Sequence, residues 1–322
     1  MSKQKFNFFA GLKGNLRLIL KLVYNLLHRP HAFFNYLTAQ KVFDLLKYSH
    51  EKGFKVAEHK LNDMLAGIED EIEIFSFSGE GQSFHIIAPG HCLFLAKLTG
   101  AELKKLGFSY DIHLLSRGHL DIPEDHHGES YIILCPQLYS GLPERLIAVQ
   151  MEQTVSSRWL DSEYMNTLAT AKAVLDYSLY NIEYFGNKEE FSGRLFYYLP
   201  LDYLSDEAPN SFADKKEIDV LFYGDNSAKR RKKILKQLKS DFNIKIVNSL
   251  FGEDMLRLVR KSKIVLNIHY YEGALLETTR IYEVLSQNSS LVISEKSADS
   301  FEDKRLEGIV DFVDIGDVKA IK

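Results

Sequence analysis

The chain opens with a long stretch whose apolar residues recur at helical spacing. These positions are Leu16, Ile19, Leu20, Val23, Leu26 and Leu27. Pro30 ends the run, and we expect residues 1–75 to form a helical N-terminal segment. A helix that packs on the main body fits this pattern. A basic amphipathic helix that lies on an anionic membrane surface also fits it, because Arg17, Lys21 and Arg29 accompany the apolar positions.

The pattern changes near a Gly/Ser-rich stretch, residues 76–83. Beyond it, short apolar runs alternate with helical segments, which is typical of parallel βαβ units. The predicted strands of this half are residues 84–88, 109–115, 131–135, 146–150, 173–176 and 195–199. We expect a Rossmann-like domain over residues 76–205, whose site lies at the carboxyl ends of its strands.

A second alternating series follows a polar, acidic linker at residues 202–216. Its predicted strands are residues 218–223, 244–247, 264–268, 290–294 and 309–313, and its predicted helices are residues 228–238, 253–260 and 277–286. We expect a second Rossmann-like domain over residues 217–322. The predicted fold class is therefore α/β, with two Rossmann-like domains that face each other across a cleft.

Composition and charge narrow the class of protein. The chain has 322 residues, of which 45% are hydrophobic, and its net charge of −4 disfavours a nucleic-acid partner. Cys92 and Cys135 have neither the number nor the spacing of a disulfide framework or a zinc site, which favours a reducing compartment. No apolar stretch is long enough to span a membrane. We expect a cytoplasmic protein, with the N-terminal helix as a candidate for peripheral membrane contact.

The turn at Gly224 closes a predicted strand and opens a basic helix. Backbone N–H groups and the positive end of a helix suit a diphosphate, and Arg230 and Arg231 follow within one helical turn. Gly224 and Arg230 are therefore candidate nucleotide ligands. A solvated basic face on an ordinary strand-to-helix turn explains the same cluster.

A stronger group of polar residues spans positions 265–285. A buried strand brings Asn267 and His269 toward its carboxyl end, a Gly-containing loop turns, and a helix begins at Glu277. Arg280 and Glu283 follow Glu277 at three-residue steps, so the three side chains share one helix face. Arg suits a diphosphate and Glu suits ribose hydroxyls, so all five residues are candidate ligands of a nucleotide sugar.

This passage resembles the nucleotide-binding segment of GT-B glycosyltransferases with a glycosyltransferase-one-type C-terminal domain, especially the CgeB-like group. In that group a strand ending in Asn-x-His leads to a helix that carries Arg and Glu. Residues 219–224 with Arg230 and Arg231 resemble the start of the same domain, and residues 150–153 resemble the acceptor-domain half more loosely. The resemblance covers about a third of the chain and implies a GT-B glycosyltransferase.

The sequence departs from the family pattern in one respect. Many retaining relatives carry two glutamates separated by seven residues, but Leu275 and Leu285 occupy the corresponding positions here. The resemblance therefore carries over only Glu283, as the ribose-binding glutamate. The stereochemical outcome of the transfer stays open.

A transfer that inverts configuration needs a base for the acceptor hydroxyl, and His91, Glu152 and Asp176 stand at predicted strand ends. We favour His91, since an unperturbed histidine pKa of about 6.5 suits proton abstraction near neutral pH, and we rank Glu152 second. With 11 histidines in the chain, His91 is equally compatible with a merely structural position. The pair His126–His127 matches no ligand motif, and we expect no metal site.

These observations together predict a transferase that moves a sugar from a nucleotide-sugar donor to a carbohydrate, lipid-linked or protein acceptor, in bacterial surface-glycan assembly. No metal or other cofactor is expected, because a helix N-terminus, Arg280 and nearby basic residues suffice for the leaving diphosphate. The alternative is a non-catalytic Rossmann-type module that binds a sugar nucleotide or a partner protein. Residues 314–322 are too short for the closing helix of a GT-B enzyme, so a fragment or a family variant is expected.

Overall fold

The computed structural model describes residues 74–122, 129–157, 159–204, 215–248, 250–297 and 300–322. Two large sheets, one mostly and one fully parallel, lie in one compact unit, Glu73–Leu114 with Leu120–Lys322. Nearly all of the predicted N-terminal helical segment, the His126–His127 pair and most of the predicted linker lie outside the described residues. Among the helices described, none has the length and apolar character needed to cross a membrane.

The first half of this unit is built on a seven-stranded sheet. The strands up to residue 198, in chain order, are β1 (Ile74–Phe77), β2 (Ser83–Ala88), β3 (Ser109–Leu114), β4 (Gly118–His119), β5 (Ser130–Leu134), β6 (Tyr139–Ser140), β7 (Leu146–Gln150), β8 (Ala173–Asp176) and β9 (Phe196–Tyr198), of which β4 does not belong to this unit. All except the two-residue strands β4 and β6 join the sheet, in the order β1-β3-β2-β5-β7-β8-β9. Every neighbouring pair is parallel except β1 with β3.

The edge strand β1 differs from the sequence prediction. The helical segment was predicted to extend to residue 75, but Ile74 already pairs with His113 of β3. Four residues in extended conformation complete the open edge of β3, and an unpaired edge is a favourable partner for such a segment. The first sheet therefore begins at Ile74.

Three helices connect the strands of the first half. They are α1 (Leu93–Lys105), α2 (Ser162–Thr170) and α3 (Leu179–Gly186). The carboxylate of Asp161 accepts a hydrogen bond from the Tyr164 backbone N–H and caps α2, and the Ser178 hydroxyl caps α3 in the same way. Within the part of this half that the structure describes, 3₁₀ turns lie at Gly90–Cys92, Pro136–Leu138 and Glu189–Phe191.

The second half is built on a five-stranded, fully parallel sheet. Its strands are β10 (Ile218–Tyr223), β11 (Ile244–Val247), β12 (Ser262–Asn267), β13 (Leu291–Glu295) and β14 (Asp311–Val313). Its helices are α4 (Lys229–Leu238), α5 (Gly252–Arg260), α6 (Thr278–Ser286), α7 (Ser300–Arg305) and α8 (Val318–Ile321). The predicted alternation of strands and helices is observed here with small shifts at the element ends.

The strand order reverses in the same manner in both sheets. In the second sheet the order β11-β10-β12-β13-β14 places the first strand of the series between the second and the third. In the first sheet β2 likewise lies between β3 and β5. In open parallel sheets the crevice at such a switch point, beyond the carboxyl ends of the strands, is the usual ligand site.

The two halves share one buried apolar cluster. Ile86 and Phe94 of the first half belong to the same cluster as Leu221 and Met255 of the second. A smaller cluster fills the other face of the second sheet, between Phe222 and helix α4. The prediction of an α/β protein with two Rossmann-like domains that face each other across a cleft is confirmed.

Candidate functional site

A cavity of about 500 Å³ lies between the carboxyl ends of the two sheets. From the first half it is lined by residues that follow β2, β5, β7 and β8, among them His91, Cys135, Glu152 and Tyr177. From the second half it is lined by the end of β10, by the loop after β12 and by the first turns of α6. The strands on both sides of each switch point therefore contribute to one cavity.

Arg280 is the main cation on the second-half wall. Its Nη1 donates to Asn267 Oδ1 at 2.7 Å and lies 2.5 Å from Glu277 Oε2. Its guanidinium carbon stands 5.4 Å from the centre of the Tyr223 ring. These contacts fix the fork of the side chain at the cavity wall.

The backbone conformation at Gly224 and the closeness of Arg280 both favour glycine there. Its φ of +117° lies in the region that favours glycine. A Cβ at this position would also stand 2.8 Å from Arg280 Nη2. The predicted β10-to-α4 turn is therefore formed as expected, and its glycine lets the guanidinium approach the backbone closely.

The basic helix α4 presents Arg231 to the cavity rather than the predicted Arg230. Arg231 is buried on the same helix face as Ile234, Leu235 and Leu238, and it donates to the backbone oxygens of Asp225 and Ile268 at 2.8 Å each. Arg230 does not line the cavity. It forms an ion pair with the buried Glu295 instead and donates to the His269 oxygen at 2.8 Å.

Glu277 lies between two guanidinium groups. It forms ion pairs with Arg231 and with Arg280. Burial raises the pKa of Glu277, but the charges of Arg280 and Arg231 outweigh burial and hold the pKa below its usual value. Glu277 therefore stays ionised and orients both arginines.

Glu283 follows on the same face of α6 and also lines the cavity. The Tyr223 hydroxyl donates to Glu283 Oε2 at 2.9 Å. Burial and the charge of Glu283 raise the pKa of Tyr223 well above its usual value, so the tyrosine remains a hydrogen-bond donor. The position of Glu283 suits the predicted contact with ribose hydroxyls.

Two of the predicted ligands are placed as supports. Asn267 is buried, and besides holding Arg280 it donates to Ser294 Oγ at 3.0 Å. His269 is fully buried, and its Nε2 donates to the backbone oxygens of Glu295 and Lys296 at 3.1 Å each. Neither residue lines the cavity, because the end of the central strand β12 is covered by neighbouring elements on both faces.

The N-terminus of α6 points its uncapped first turn at the cavity. Glu277 stands at the N-cap, but its side chain makes no hydrogen bond to the helix N–H groups. Thr278 lines the cavity and is 1% exposed, and its hydroxyl has no hydrogen-bond partner among the described residues. A helix N-terminus with an unsatisfied buried hydroxyl beside Arg280 provides the donors that an anion requires.

The first-half wall carries His91 and Glu152, the two predicted base candidates. His91 follows β2 directly, is exposed toward the cavity, and its ring centre lies 6.0 Å from that of Phe251. Burial lowers the pKa of His91, whereas Cys135 and Glu152 raise it, and the net result lies above the usual histidine value. Hydrogen bonding to Cys92 and burial raise the pKa of Cys135 well above normal.

Glu152 is held in place through both carboxylate oxygens. Oε1 accepts from Gln137 Nε2 at 2.7 Å, and Oε2 accepts from Ser157 Oγ at 2.5 Å. Its backbone oxygen accepts from Gln150 Nε2 at 2.8 Å and from Asn181 Nδ2 at 3.1 Å. These bonds fix the carboxylate at the cavity wall.

Asp176, the third base candidate of the sequence, is fully buried beneath that wall. It accepts hydrogen bonds from Gln150 Nε2 and the Ser178 N–H at 2.8 Å and from Asn181 Nδ2 at 3.1 Å. Because it is enclosed by this network and does not line the cavity, Asp176 does not reach an acceptor. It positions the loop that carries Glu152.

Replacing Asp176 with Ala should lower the free energy of unfolding by about 2–4 kcal/mol, because three buried donors lose their acceptor. Asp176→Asn keeps one oxygen and should cost less. Burial raises the pKa of Asp176 to about 7 against the effect of those hydrogen bonds. The native chain should therefore lose stability relative to Asp176→Asn as the pH rises from about 4 toward 7. Urea unfolding of the three proteins across that range measures both effects, and equal unfolding midpoints for all three would contradict them.

Gln153 joins the two halves directly. Its Nε2 donates to the Leu275 oxygen at 3.1 Å, and its Oε1 accepts from the Leu275 N–H at 3.0 Å. Leu275 precedes α6, so this paired contact aligns the loop of the first half with the N-terminus of α6. The approach of two positions 122 residues apart in the chain carries no sequence signal.

Some solved structures resemble this chain in the course of the backbone, at low sequence identity. Sucrose-phosphate synthase from Thermosynechococcus elongatus is 11% identical with a TM-score of 0.46, and the match covers 75% of this chain and 88% of that one. An α-glucosyltransferase solved with UDP and a 13-mer DNA is 10% identical with a TM-score of 0.43, over 68% and 81% of the two chains. A glycosyltransferase from Rickettsia africae ESF-5 is 9% identical with a TM-score of 0.39, over 75% and 86%.

No protein-family model matches the sequence, and no curated protein matches it. Likenesses with TM-scores below 0.5 do not bear on the activity of this chain. The function therefore has to be inferred from the residues of the cavity.

Proposed function

We propose that the chain is a metal-independent glycosyltransferase of the GT-B type, which transfers a sugar from a nucleotide-sugar donor to an acceptor hydroxyl. The observation that carries the proposal is the N-terminus of α6. Its uncapped first turn, the unpartnered Thr278 hydroxyl and the fixed guanidinium of Arg280 line the same cavity as His91 and Glu152. Anion donors thus face base candidates across the cavity.

The donor diphosphate fits the second-half wall. In glycosyl transfer the nucleoside diphosphate leaves with added negative charge, and fixed donors that face this charge lower the barrier. The N–H groups of α6, Thr278 and Arg280 supply such donors without a metal ion or another cofactor. Glu283, on the same helix face, accepts hydrogen bonds from the ribose hydroxyls.

The acceptor hydroxyl fits the first-half wall, where His91 takes its proton and Glu152 is the second candidate for that step. Gln153 keeps this wall aligned with the N-terminus of α6 through its paired contact with Leu275. When donor and acceptor fill the cavity, water is excluded from the activated sugar. The base on one wall then takes the proton of the attacking hydroxyl, while the anion donors on the other wall stabilise the diphosphate that leaves as the new bond to the sugar forms.

The sequence supports a more specific proposal about the cellular role and the acceptor. The Asn267-x-His269 strand end with Arg280 and Glu283 resembles the CgeB-like group, and we propose a role in bacterial surface-glycan assembly on the cytoplasmic side of the membrane. The acceptor class is a carbohydrate, a lipid-linked glycan or a protein. With a net charge of −4, nucleic acid is not the proposed acceptor.

A panel of nucleotide sugars tests the proposal. Without added divalent ions, one donor should be hydrolysed slowly in water and consumed faster when acceptors are present, with release of the nucleoside diphosphate. Lys296→Ala is a control, since Lys296 pairs with Asp314 and does not line the cavity. Binding of a donor with no turnover on any acceptor would support the non-catalytic module instead.

Thr278→Val tests the observation on which the proposal depends. Valine keeps the shape of threonine and removes only the hydroxyl, so nucleoside diphosphate affinity should fall by about 0.5–1.5 kcal/mol. Thr278→Ser should keep the affinity of the native chain. Calorimetry with the nucleoside diphosphate measures both variants. An affinity that is equal in the valine variant would place the diphosphate away from the α6 N-terminus.

The N-terminal segment is proposed as a peripheral membrane contact. Arg17, Lys21 and Arg29 would attract anionic lipid while the apolar residues between them enter the interface. The full chain should sediment with vesicles that contain anionic lipid and less with neutral vesicles. Deletion of residues 2–29 should abolish this difference. Unchanged sedimentation of a folded deletion variant would show that the contact lies elsewhere.

A further inference from the structure

A second cluster of ligand-type side chains lies outside the cavity, on the first sheet. The register of β2 and β3 places His85 beside Asp111, and His113 follows Asp111 by two residues on the same strand. Because alternate residues of a strand share a face, Asp111 and His113 project to one side of the sheet, as does His85. Their neighbours Ile86 and Ile112 are buried in the core on the other side.

The side-chain atoms of this cluster are at distances suited to one ion. His85 Nδ1 lies 2.9 Å from Asp111 Oδ1, and His113 Nε2 lies 2.7 Å from the same oxygen. One ligand atom from each residue lies within 4.8 Å of the other two. A tetrahedral zinc ion with bonds of about 2.0–2.1 Å separates its ligands by roughly 3.3 Å. Small side-chain adjustments would bring the three atoms to that spacing.

Glu129 adds a feature typical of metal centres. Its carboxylate contacts His85 Nε2, the ring nitrogen opposite the one that faces Asp111. A metal-binding histidine usually donates its other N–H to a carboxylate, which fixes the ring and increases its basicity. The pair formed by Glu129 and His85 therefore orients Nδ1 for an ion.

The ligand types of the cluster are also suited to a transition metal. The carboxylates of Asp111 and Glu129 contact the imidazoles of His85 and His113. Two nitrogens and a carboxylate oxygen suit a first-row divalent ion such as Zn²⁺. Mg²⁺ and Ca²⁺ prefer shells made entirely of oxygen.

We propose that His85, Asp111 and His113 bind a divalent transition-metal ion, with Zn²⁺ as the best match, and that Glu129 positions His85. The ion would link the neighbouring strands β2 and β3. None of the four residues lines the cavity, so the site is independent of the proposed glycosyl transfer. Its role would be to stabilise the first sheet, and metal binding should raise the melting temperature of the full chain.

One other group of described residues could hold an ion. His91, Cys92 and Cys135 also lie within 4.8 Å of one another, and the two sulfurs are 3.6 Å apart. A thiolate site and an imidazole–carboxylate site differ in the spectrum of bound Co²⁺. Only the thiolate site adds a sulfur-to-cobalt charge-transfer band in the near ultraviolet. The spectrum thus identifies which group binds the metal.

The test uses the full chain, freed of metal with a chelator and titrated with Zn²⁺ against a chromophoric competitor and separately with Co²⁺. The native chain should bind one Zn²⁺ ion in the described cluster, resist competition by Mg²⁺, and show visible Co²⁺ bands without the charge-transfer band. His113→Ala should lower Zn²⁺ affinity at least about 100-fold and Glu129→Gln about 10–100-fold. His113→Gln, which keeps a larger side chain, should behave like His113→Ala.

Cys92→Ser is the matched control, and it should leave both the affinity and the Co²⁺ spectrum unchanged. Circular dichroism confirms that each variant is folded before titration. The proposal is overturned if the native chain binds no Zn²⁺ more tightly than folded His113→Ala or His113→Gln. It is also overturned if binding depends on Cys92 and the cobalt complex shows the thiolate band.

Discussion

Replacing His91 with Ala should lower turnover by about 10²–10⁴, the contribution of a positioned general base, and leave donor affinity nearly intact. His91 lies on the first-half wall of the cavity, whereas the proposed donor contacts belong to the second half. A base is needed only when the acceptor hydroxyl attacks. The loss should therefore appear in the transfer rate with saturating donor, measured as release of nucleoside diphosphate.

The pH dependence gives an independent test of the same role. A base must be neutral, so the transfer rate should rise as the pH passes through the pKa of His91. That pKa lies above the usual histidine value, because Cys135 and the charge of Glu152 outweigh the lowering effect of burial. Glu152→Gln removes the nearby charge and should move the rising limb to lower pH. The limb should disappear in His91→Ala.

His119→Ala is the matched control, because His119 is an exposed histidine that does not line the cavity. It should retain native turnover. Full activity in His91→Ala would remove His91 from the mechanism and favour Glu152. If His91→Ala instead loses donor affinity and thermal stability together, the residue is structural.

The sequence predicts the strands that carry the site more accurately than the side chains that line it. Apolar runs of four to six residues, such as residues 218–223, have the length and composition of buried strands, and the structure places strands there. The edge strand β1 was missed because four residues beside an acidic stretch carry little periodicity. Its conformation depends on pairing with β3, which lies more than 30 residues later.

The prediction of which arginine of α4 lines the cavity shows a similar limit. In the run 229–233 every side chain is basic, so charge does not distinguish Arg230 from Arg231. Helical spacing from Ile234, Leu235 and Leu238 does, since Arg231 completes that buried face. The signal for Arg231 was therefore present in the sequence, in periodicity rather than in charge.

Other features depend on strand order, which the sequence does not give. Cys92 and Cys135 are 43 residues apart, yet they follow β2 and β5, which are neighbours in the sheet. Carboxyl ends of neighbouring parallel strands meet at one edge, so the two thiols approach each other. His85, Asp111 and His113 come together in the same way through the register of β2 and β3.

Arg280→Ala should weaken nucleoside diphosphate binding by about 1.5–3 kcal/mol, the scale of a hydrogen bond to a charged group, which is roughly 10-fold to 150-fold in affinity. The native guanidinium is already held by Asn267 and Glu277, so little side-chain freedom is lost when it binds the ligand. Arg280→Lys keeps the charge without the planar fork and should recover only part of the affinity. Calorimetry on the three proteins measures these differences.

Arg260→Ala is the matched control, because Arg260 pairs with Glu253 and Gln287 and does not line the cavity. It should bind the nucleoside diphosphate as the native chain does. Glu277 keeps its ion pair with Arg231 when Arg280 is removed, so the fold of the β12-to-α6 loop should survive and the melting temperature should change little. Native affinity in a folded Arg280→Ala variant would show that the diphosphate does not bind at this wall. If Arg280→Ala loses both affinity and folding, Arg280→Lys distinguishes the two roles. This variant should fold and still bind the nucleoside diphosphate more weakly than the native chain.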